Sequence, residues 1–376
     1  MENTYFNFYD VLSLFGGFLA LLLGCIFIFN EKFRTKANIA QAILLFSVFL
    51  SITRNIFGNL GIYNQESLIF HLPLFYVLLP PLGFYYSIVF LLNPKYLFTK
   101  RDYWLLVPLF LTVIADAIFL FLYLFQTEFL FENFTVRIFY GDAFINLLLI
   151  IYFSILLPIC WKKINTYQEQ LLNNFSSIED KDLDWLRKAI LIFFIILLLI
   201  IALHISEHLF PFNIPLRYYL LWFLSTAFVC LFAFKFIINQ NFYLVPDFQD
   251  KNDNLIVPKP LSEKTDEHYQ HLLNLMTQEK IYQDAELNMD ALSAKVQLSK
   301  SYLSKIINQK EGKNFYDFVN TFRVEEVKNN LNNPDYAHYS ILGIGLAAGF
   351  KSKSSFNAVF KKMTGMTPST YKKTFK

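Results

Sequence analysis

The sequence predicts an all-α chain in two parts. Residues 1–238 form a bundle of seven transmembrane helices; after a polar linker at 239–264, residues 265–376 form a cytoplasmic domain of paired short helices. Three observations predict it. Hydrophobic residues make up 55% of the chain and charged ones only 17%, with 44 Phe among 376 residues, so much of its length belongs in lipid. Seven apolar runs of near-spanning length follow one another up to residue 238. From Lys295 onward the character reverses: 14 Lys and Arg stand against 5 Asp and Glu, an excess of about +9 in a chain whose total is +3.

The N-terminus, MENTYFNFYD, carries two acids and no Lys or Arg. It lacks the basic start of a cleaved signal peptide, so the first apolar run is expected to be retained. Spans are placed at 11–29, 39–57, 68–92, 104–125, 138–161, 187–209 and 217–238. The paired Pro80-Pro81 is expected to break the helix of the third. Basic residues set the orientation. Loops one, three and five carry Lys32, Arg34, Lys36, Lys95, Lys100, Arg101, Lys162, Lys163, Lys181, Arg187 and Lys188, whereas the N-terminal tail and the other loops carry only Arg137 and Arg217. This bias puts the N-terminus outside and the C-terminus in the cytoplasm, with the chain in the cytoplasmic membrane. Cys25, Cys160 and Cys230 all lie in apolar runs and supply neither a disulfide pattern nor a metal-ligand spacing.

Ionisable and polar groups at membrane depth are costly, so each is a candidate for ligand sensing. Arg54, His71, Asp142, Asn146, His204, Glu207, His208 and Arg217 fall at the outer ends of their spans, and Asp116 falls near mid-depth. One reading is interfacial; the other is an outward-opening pocket for a small ligand or membrane partner, walled by aromatics. His204-Ile205-Ser206-Glu207-His208 also fits the H-x-x-E-H spacing of some zinc peptidases, but it has no partner motif, so no metal, cofactor or catalytic residue is assigned and the chain is not expected to be an enzyme. The sixth and seventh spans flank the entry to the linker, so their repacking is expected to reach the C-terminal domain first.

After Lys235 the composition turns polar, and Pro246, Pro258 and Pro260 mark 239–264 as a semi-extended tether. Helix signals resume near Thr265, with His268, Tyr269, Leu272, Leu273 and Met276 in an opening helix. Two helix pairs follow, separated by one helix from Asn314 to about Leu331. In the first, Met289–Gln297 is followed by a turn at Leu298-Ser299 and a helix over Lys300–Gln309 that Ser299 caps. Leu303, Ile306 and Ile307 share the inner face, leaving Lys300, Ser301, Ser304, Lys305 and Asn308 outward. The second pair repeats the plan. Ser340 caps a helix to Ala348, Gly349-Phe350 makes the turn, and Ser352–Met363 turns Phe356, Val359 and Phe360 inward and Lys353, Ser354, Asn357, Ala358 and Lys361 outward. A helix of this size fits the major groove, and Lys, Ser and Asn reach phosphates and base edges.

The spaced set Leu292-Ser293-Ala294, Ser299 to Lys305, Gly312, Phe315, Arg323, Ile344-Gly345-Leu346-Ala347-Ala348-Gly349-Phe350, Ser355-Phe356, Phe360-Lys361-Lys362, Gly365, Thr367-Pro368 and Tyr371 resembles the DNA-binding domain of the AraC/XylS transcription regulators. The resemblance covers roughly the last 110 residues. It implies a bacterial regulator that lays two recognition helices of a double helix-turn-helix domain in successive major-groove segments of double-stranded DNA, alone or as a homodimer. The family commonly has Arg where Lys305 and Ala358 stand. The DNA-contacting set expected is therefore Lys300, Ser301, Ser304, Lys305, Asn308, Lys353, Ser354, Asn357 and Lys361. Other classes remain open: a transporter or membrane enzyme whose state the DNA-binding domain reports.

Overall fold

The computed structural model describes residues 8–59, 75–124, 142–179, 183–209, 215–239 and 263–374. They are helical throughout, with a single isolated antiparallel bridge between Phe175 and Asn288 among the described residues. The chain divides into two compact units. One comprises 1–164 and 184–246; the other comprises 247–376 together with 165–183.

In the first unit the helices are α1 (Phe8–Phe29), α2 (Lys36–Asn59), α3 (Leu79–Leu92), α4 (Lys100–Leu124), α5 (Asp142–Asn174), α6 (Asp184–Leu209) and α7 (Pro215–Asn239). Each stands at a position where the sequence predicts a span. Among the described residues, however, only three are long and apolar enough to cross a membrane: Asp10–Phe29, Lys36–Arg54 and Leu147–Asn174. Against the seven spans expected, the described residues hold three candidates. At the position of α3 the apolar helix, Leu79–Leu92, is shorter. The 14 residues of α3 rise only about 21 Å against a hydrocarbon core of roughly 30 Å. The proline pair, expected to break the third helix, lies at the start of α3. Pro80 and Pro81 occupy its first turn, where a missing N–H is harmless, and a 3-10 turn at Phe75–Leu78 leads into it.

Packing within this unit joins α1 to α2 and α7, and α2 to α3. A Cβ on Gly83 would lie 2.9 Å from the Ala40 carbonyl oxygen, so α3 approaches α2 at backbone distance. Gln41 Nε2 donates to Ser87 Oγ across the same contact at 3.1 Å. Phe84 meets Phe193 and Phe232 with ring centroids 4.7 and 5.0 Å apart, tying α3 to α6 and α7. At the start of α4 the Asp102 carboxylate accepts the Thr99 N–H (2.7 Å), the Thr99 hydroxyl (2.6 Å) and the Tyr96 hydroxyl (2.7 Å), closing the helix end. Large apolar side chains remain on the outside, among them Phe15 (68% exposed), Trp104 (74%) and Leu231 (65%).

The second unit contains α8 (Glu263–Thr277), α9 (Met289–Val296), α10 (Lys300–Glu311), α11 (Phe315–Asn332), α12 (Ile341–Ala347), α13 (Lys353–Thr364) and α14 (Pro368–Lys373). Here, among the described residues, only Tyr339 and Leu346 are large apolar side chains left exposed. Two cores share α11. Phe315, Phe318 and Val319 join Leu272, Met276, Leu292, Leu303 and Ile307, while Val324, Val327 and Leu331 join Ile344, Phe350, Phe356 and Phe360. Between the cores, α11 buries two polar residues one turn apart, Asn320 and Arg323.

Candidate nucleic-acid interface

Two helix-turn-helix motifs are built alike from their caps. The Asn288 side chain accepts from Ala291 N–H (3.0 Å) to start α9, and that of Ser299 accepts from Tyr302 N–H (3.3 Å) to start α10. In the second motif Ser340 accepts from Gly343 N–H (2.9 Å) and Ser352 from Ser355 N–H (3.2 Å), opening α12 and α13. Both turns need a left-handed residue: Gln297 at φ 56 in the first, Gly349 at φ 96 in the second. They differ in surroundings. Gln297 is exposed, but a Cβ at Gly349 would lie 2.3 Å from the Tyr282 carbonyl oxygen, so only glycine fits there. Gly312 and Gly365, also left-handed, end the two recognition helices.

The inner faces are as the spacing predicts: Leu303, Ile306 and Ile307 on α10, and Phe356, Val359 and Phe360 on α13, are buried. Every residue expected to contact DNA keeps exposed surface. Lys300, Ser301 and Asn308 are exposed and Ser304 and Lys305 half-buried on α10; Lys353, Ser354 and Lys361 are exposed and Asn357 half-buried on α13. The Lys300 ammonium pairs with the Asp290 carboxylate. Lys362, beside Lys361, pairs with Asp317 at 2.8 Å. Neither acid is marked as a partner by the residue spacing. The opening helix α8 supports α10 through Tyr269, whose hydroxyl donates to Glu311. That bond, with Lys313 at 3.2 Å, holds the Glu311 carboxyl below the usual glutamate range, while burial and Glu311 push the Tyr269 phenol up to about 12.

Arg323 is the joint of the unit. Its Nε donates to the Tyr282 carbonyl (2.8 Å), Nη1 to the Ser176 carbonyl (3.1 Å) and Asn320 Oδ1 (3.3 Å), and Nη2 to Ser176 Oγ (3.0 Å) and the Asp284 carbonyl (2.8 Å). The guanidinium lies 5.9 Å from the Phe350 ring centroid, in the second core. Burial lowers its pKa to about 10, which still leaves it charged near neutrality, and the carbonyls replace the water it has lost. Two of these bonds go to Ser176, in the turn that follows α5. Glu179, in the same turn, accepts from the hydroxyl of Ser352, the cap of α13. Nothing in the spacing of residues 175–179 signals this placement.

The sensing candidates are located less fully. Arg54 stands on α2 with its side chain partly buried; Asp116 is on α4, Asp142 and Asn146 begin α5, His204, Glu207 and His208 are near the end of α6, and Arg217 is in the first turn of α7. The side chains of all but Arg54, and His71 altogether, lie outside the described residues. Among the described residues no group of three His, Cys, Asp or Glu side chains is placed to hold a metal ion.

Residues 292–374 match the family model described as "Helix-turn-helix domain". An uncharacterised HTH-type transcriptional regulator of Staphylococcus aureus (strain COL) is 38% identical over 87 residues, 23% of this chain and 11% of that protein. The melibiose operon regulatory protein of Escherichia coli (strain K12) is 31% identical over 90 residues, 24% of this chain and 29% of that protein. The chain thus spans about a tenth of the length of the first of these relatives. Among solved structures, the C-terminal domain of the two-component response regulator yesN from Fusobacterium nucleatum is 27% identical, with a TM-score of 0.26, over 28% of this chain and 98% of that one. The C-terminal part of the chain is an AraC-type helix-turn-helix domain.

Proposed function

We propose that the chain is a bacterial transcription regulator, held at the cytoplasmic membrane by its N-terminal helices, that binds double-stranded DNA sequence-specifically through its two helix-turn-helix motifs. The observation that carries the reading is the matched pair α10 and α13, each capped by serine, each turning an apolar face inward and a Lys/Ser/Asn face outward. The excess of positive charge after Lys295 supplies the sequence-independent attraction to phosphate. Membrane attachment is supported by the three apolar helices and by the outward Phe, Trp and Leu side chains of the first unit. We assign Lys300, Lys305 and Lys361 mainly to phosphates, and Ser301, Ser304, Asn308, Lys353, Ser354 and Asn357 to base edges or their approach. A single copy covers two major-groove segments about 10 base pairs apart, and a homodimer doubles this. The ligand-sensing role belongs to the helices of the first unit, with Arg54, His204, Glu207 and Arg217 as the residues to vary.

The test is DNA binding by the full chain in detergent across a salt series. Lys305→Ala should weaken binding to all duplexes alike and lower the slope of log K against log salt by about one unit. Asn357→Ala should instead change which sequences are preferred in a random-duplex selection. Binding that ignores salt, or an unchanged preference with both Ser301 and Asn357 replaced, would refute the assignment.

A further inference from the structure

We propose that Glu179, in the turn between α5 and α6 at residues 175–179, is an internal partner of the DNA-binding unit, its carboxylate docked at the start of the second recognition helix and displaced when DNA binds there. This rests on the DNA-binding reading above. The turn is not a passive connection. Phe175 bridges Asn288, and Ser176, 2% exposed, donates its N–H and its hydroxyl to the Leu287 carbonyl at 3.3 and 2.6 Å. The Ser176 carbonyl in turn accepts from Arg323 and from Asn320 Nδ2 (3.1 Å each), so one serine fills the polar layer between the two cores. Three residues on, the Glu179 carboxylate accepts from the hydroxyl of Ser352.

The place of that carboxylate is what gives the contact a function. Ser352 caps α13, and the next two residues, Lys353 and Ser354, are assigned to DNA; the Ser354 hydroxyl lies 2.9 Å from that of Ser352. The first turn of a helix carries unpaired N–H groups and the positive end of its dipole, and it draws anions. Glu179 supplies an anion there from the chain itself. A DNA phosphate entering the same turn meets a like charge and must displace it, so the docked turn opposes engagement of the second motif while leaving the outer face of α10 clear.

Two measurements on the full chain in detergent test this. In the first, a fluorescent mixed-sequence duplex is titrated at low salt. Glu179→Gln keeps the size of the side chain and removes its charge, and should bind about fivefold tighter than wild type, the scale of one charged contact at a partly buried site. In the second, hydrogen exchange across 175–179 is followed as wild type is saturated with the duplex, and residues 177–179 should exchange faster while Ser176 stays protected. If Glu179→Gln binds no tighter, or if exchange at 177–179 is unchanged on DNA, the competition is overturned and the turn is a structural brace. A duplex bound by neither protein overturns the DNA-binding reading itself, and the competition with it.

Discussion

Gly349→Ala isolates how the second motif is held in place. Gly349 has φ +96, and a Cβ there would lie 2.3 Å from the Tyr282 carbonyl oxygen and 2.8 Å from Gln283 Cα. Gly312 and Gly365 serve as controls, with φ +66 and +80 and nothing within 4 Å of the added carbon. At the controls, alanine meets only the left-handed backbone penalty of about 1–2 kcal/mol. At Gly349 the clash is with the backbone of Tyr282 and Gln283 and cannot be relieved by a rotamer change, which adds about 1–3 kcal/mol of overpacking. The total of roughly 2–5 kcal/mol should speed amide exchange in α12 and α13 by roughly 30- to 4,000-fold, against about 5- to 30-fold near Gly312. Hydrogen exchange resolved by peptide is the suitable assay, because none of the chain's 4 tryptophans, Trp104, Trp161, Trp185 and Trp222, lies in the DNA-binding unit. Should Gly349→Ala prove no more disruptive than Gly312→Ala, the close approach to Tyr282 is not what demands glycine.

Glu311 makes an acid-side prediction. Its folded pKa is depressed by the Tyr269 hydroxyl, so its contribution is present above the unfolded value of about 4.3 and disappears as pH falls through the folded one. Glu311→Gln should therefore cost stability at pH 7 in thermal melts of the second unit, and the gap to wild type should close below about pH 4. Topology is checked by fusions: a reporter active only outside the cytoplasm should be silent after Lys376 and active between Glu128 and Glu132, and the reverse pattern would remove the orientation argument.

The C-terminal architecture was legible because short-range rules govern it. Serine caps, a three-and-four apolar spacing and the glycine of the second turn are local signals, and they placed α10, α11 and α13 within a residue or two of their observed bounds. The membrane part was less legible. Apolar runs reveal that a segment avoids water but not where its helix starts, and the Pro80-Pro81 pair shortens α3 within a run that reads as continuous. Least legible was Ser176. Its partners Asn320 and Arg323 lie 144 and 147 residues away, and a Ser-Ser-Ile-Glu turn is compatible with any solvated loop. The one signal that pointed there was Arg323 itself, a charge set among apolar positions of α11 that had to find acceptors from elsewhere in the chain.

This placement changes the route by which a signal would travel. Two covalent connections join the N-terminal helices to the DNA-binding unit, and the expectation from sequence favours the second, through the sixth and seventh spans into the linker at 239–264. The composition of that linker, polar with Pro246, Pro258 and Pro260, is that of a spacer, which sets reach and local concentration but transmits little rotation. The turn at 175–179 is different in kind, because α5 ends at Asn174, one residue before the bridge to Asn288 and five before the carboxylate at the cap of α13. Asp142 and Asn146 lie at the opposite end of α5, and His204, Glu207 and His208 at the opposite end of α6. A ligand binding one packing of these two helices 100-fold better than another supplies about 2.7 kcal/mol. That exceeds the roughly 1 kcal/mol of a single charged contact such as Glu179 with Ser352, so release of that carboxylate, with Ser176 left in place on Arg323, lies within reach of an ordinary ligand. On this argument the residues to vary first are those of α5 and α6, and the linker should tolerate changes in length that the turn does not.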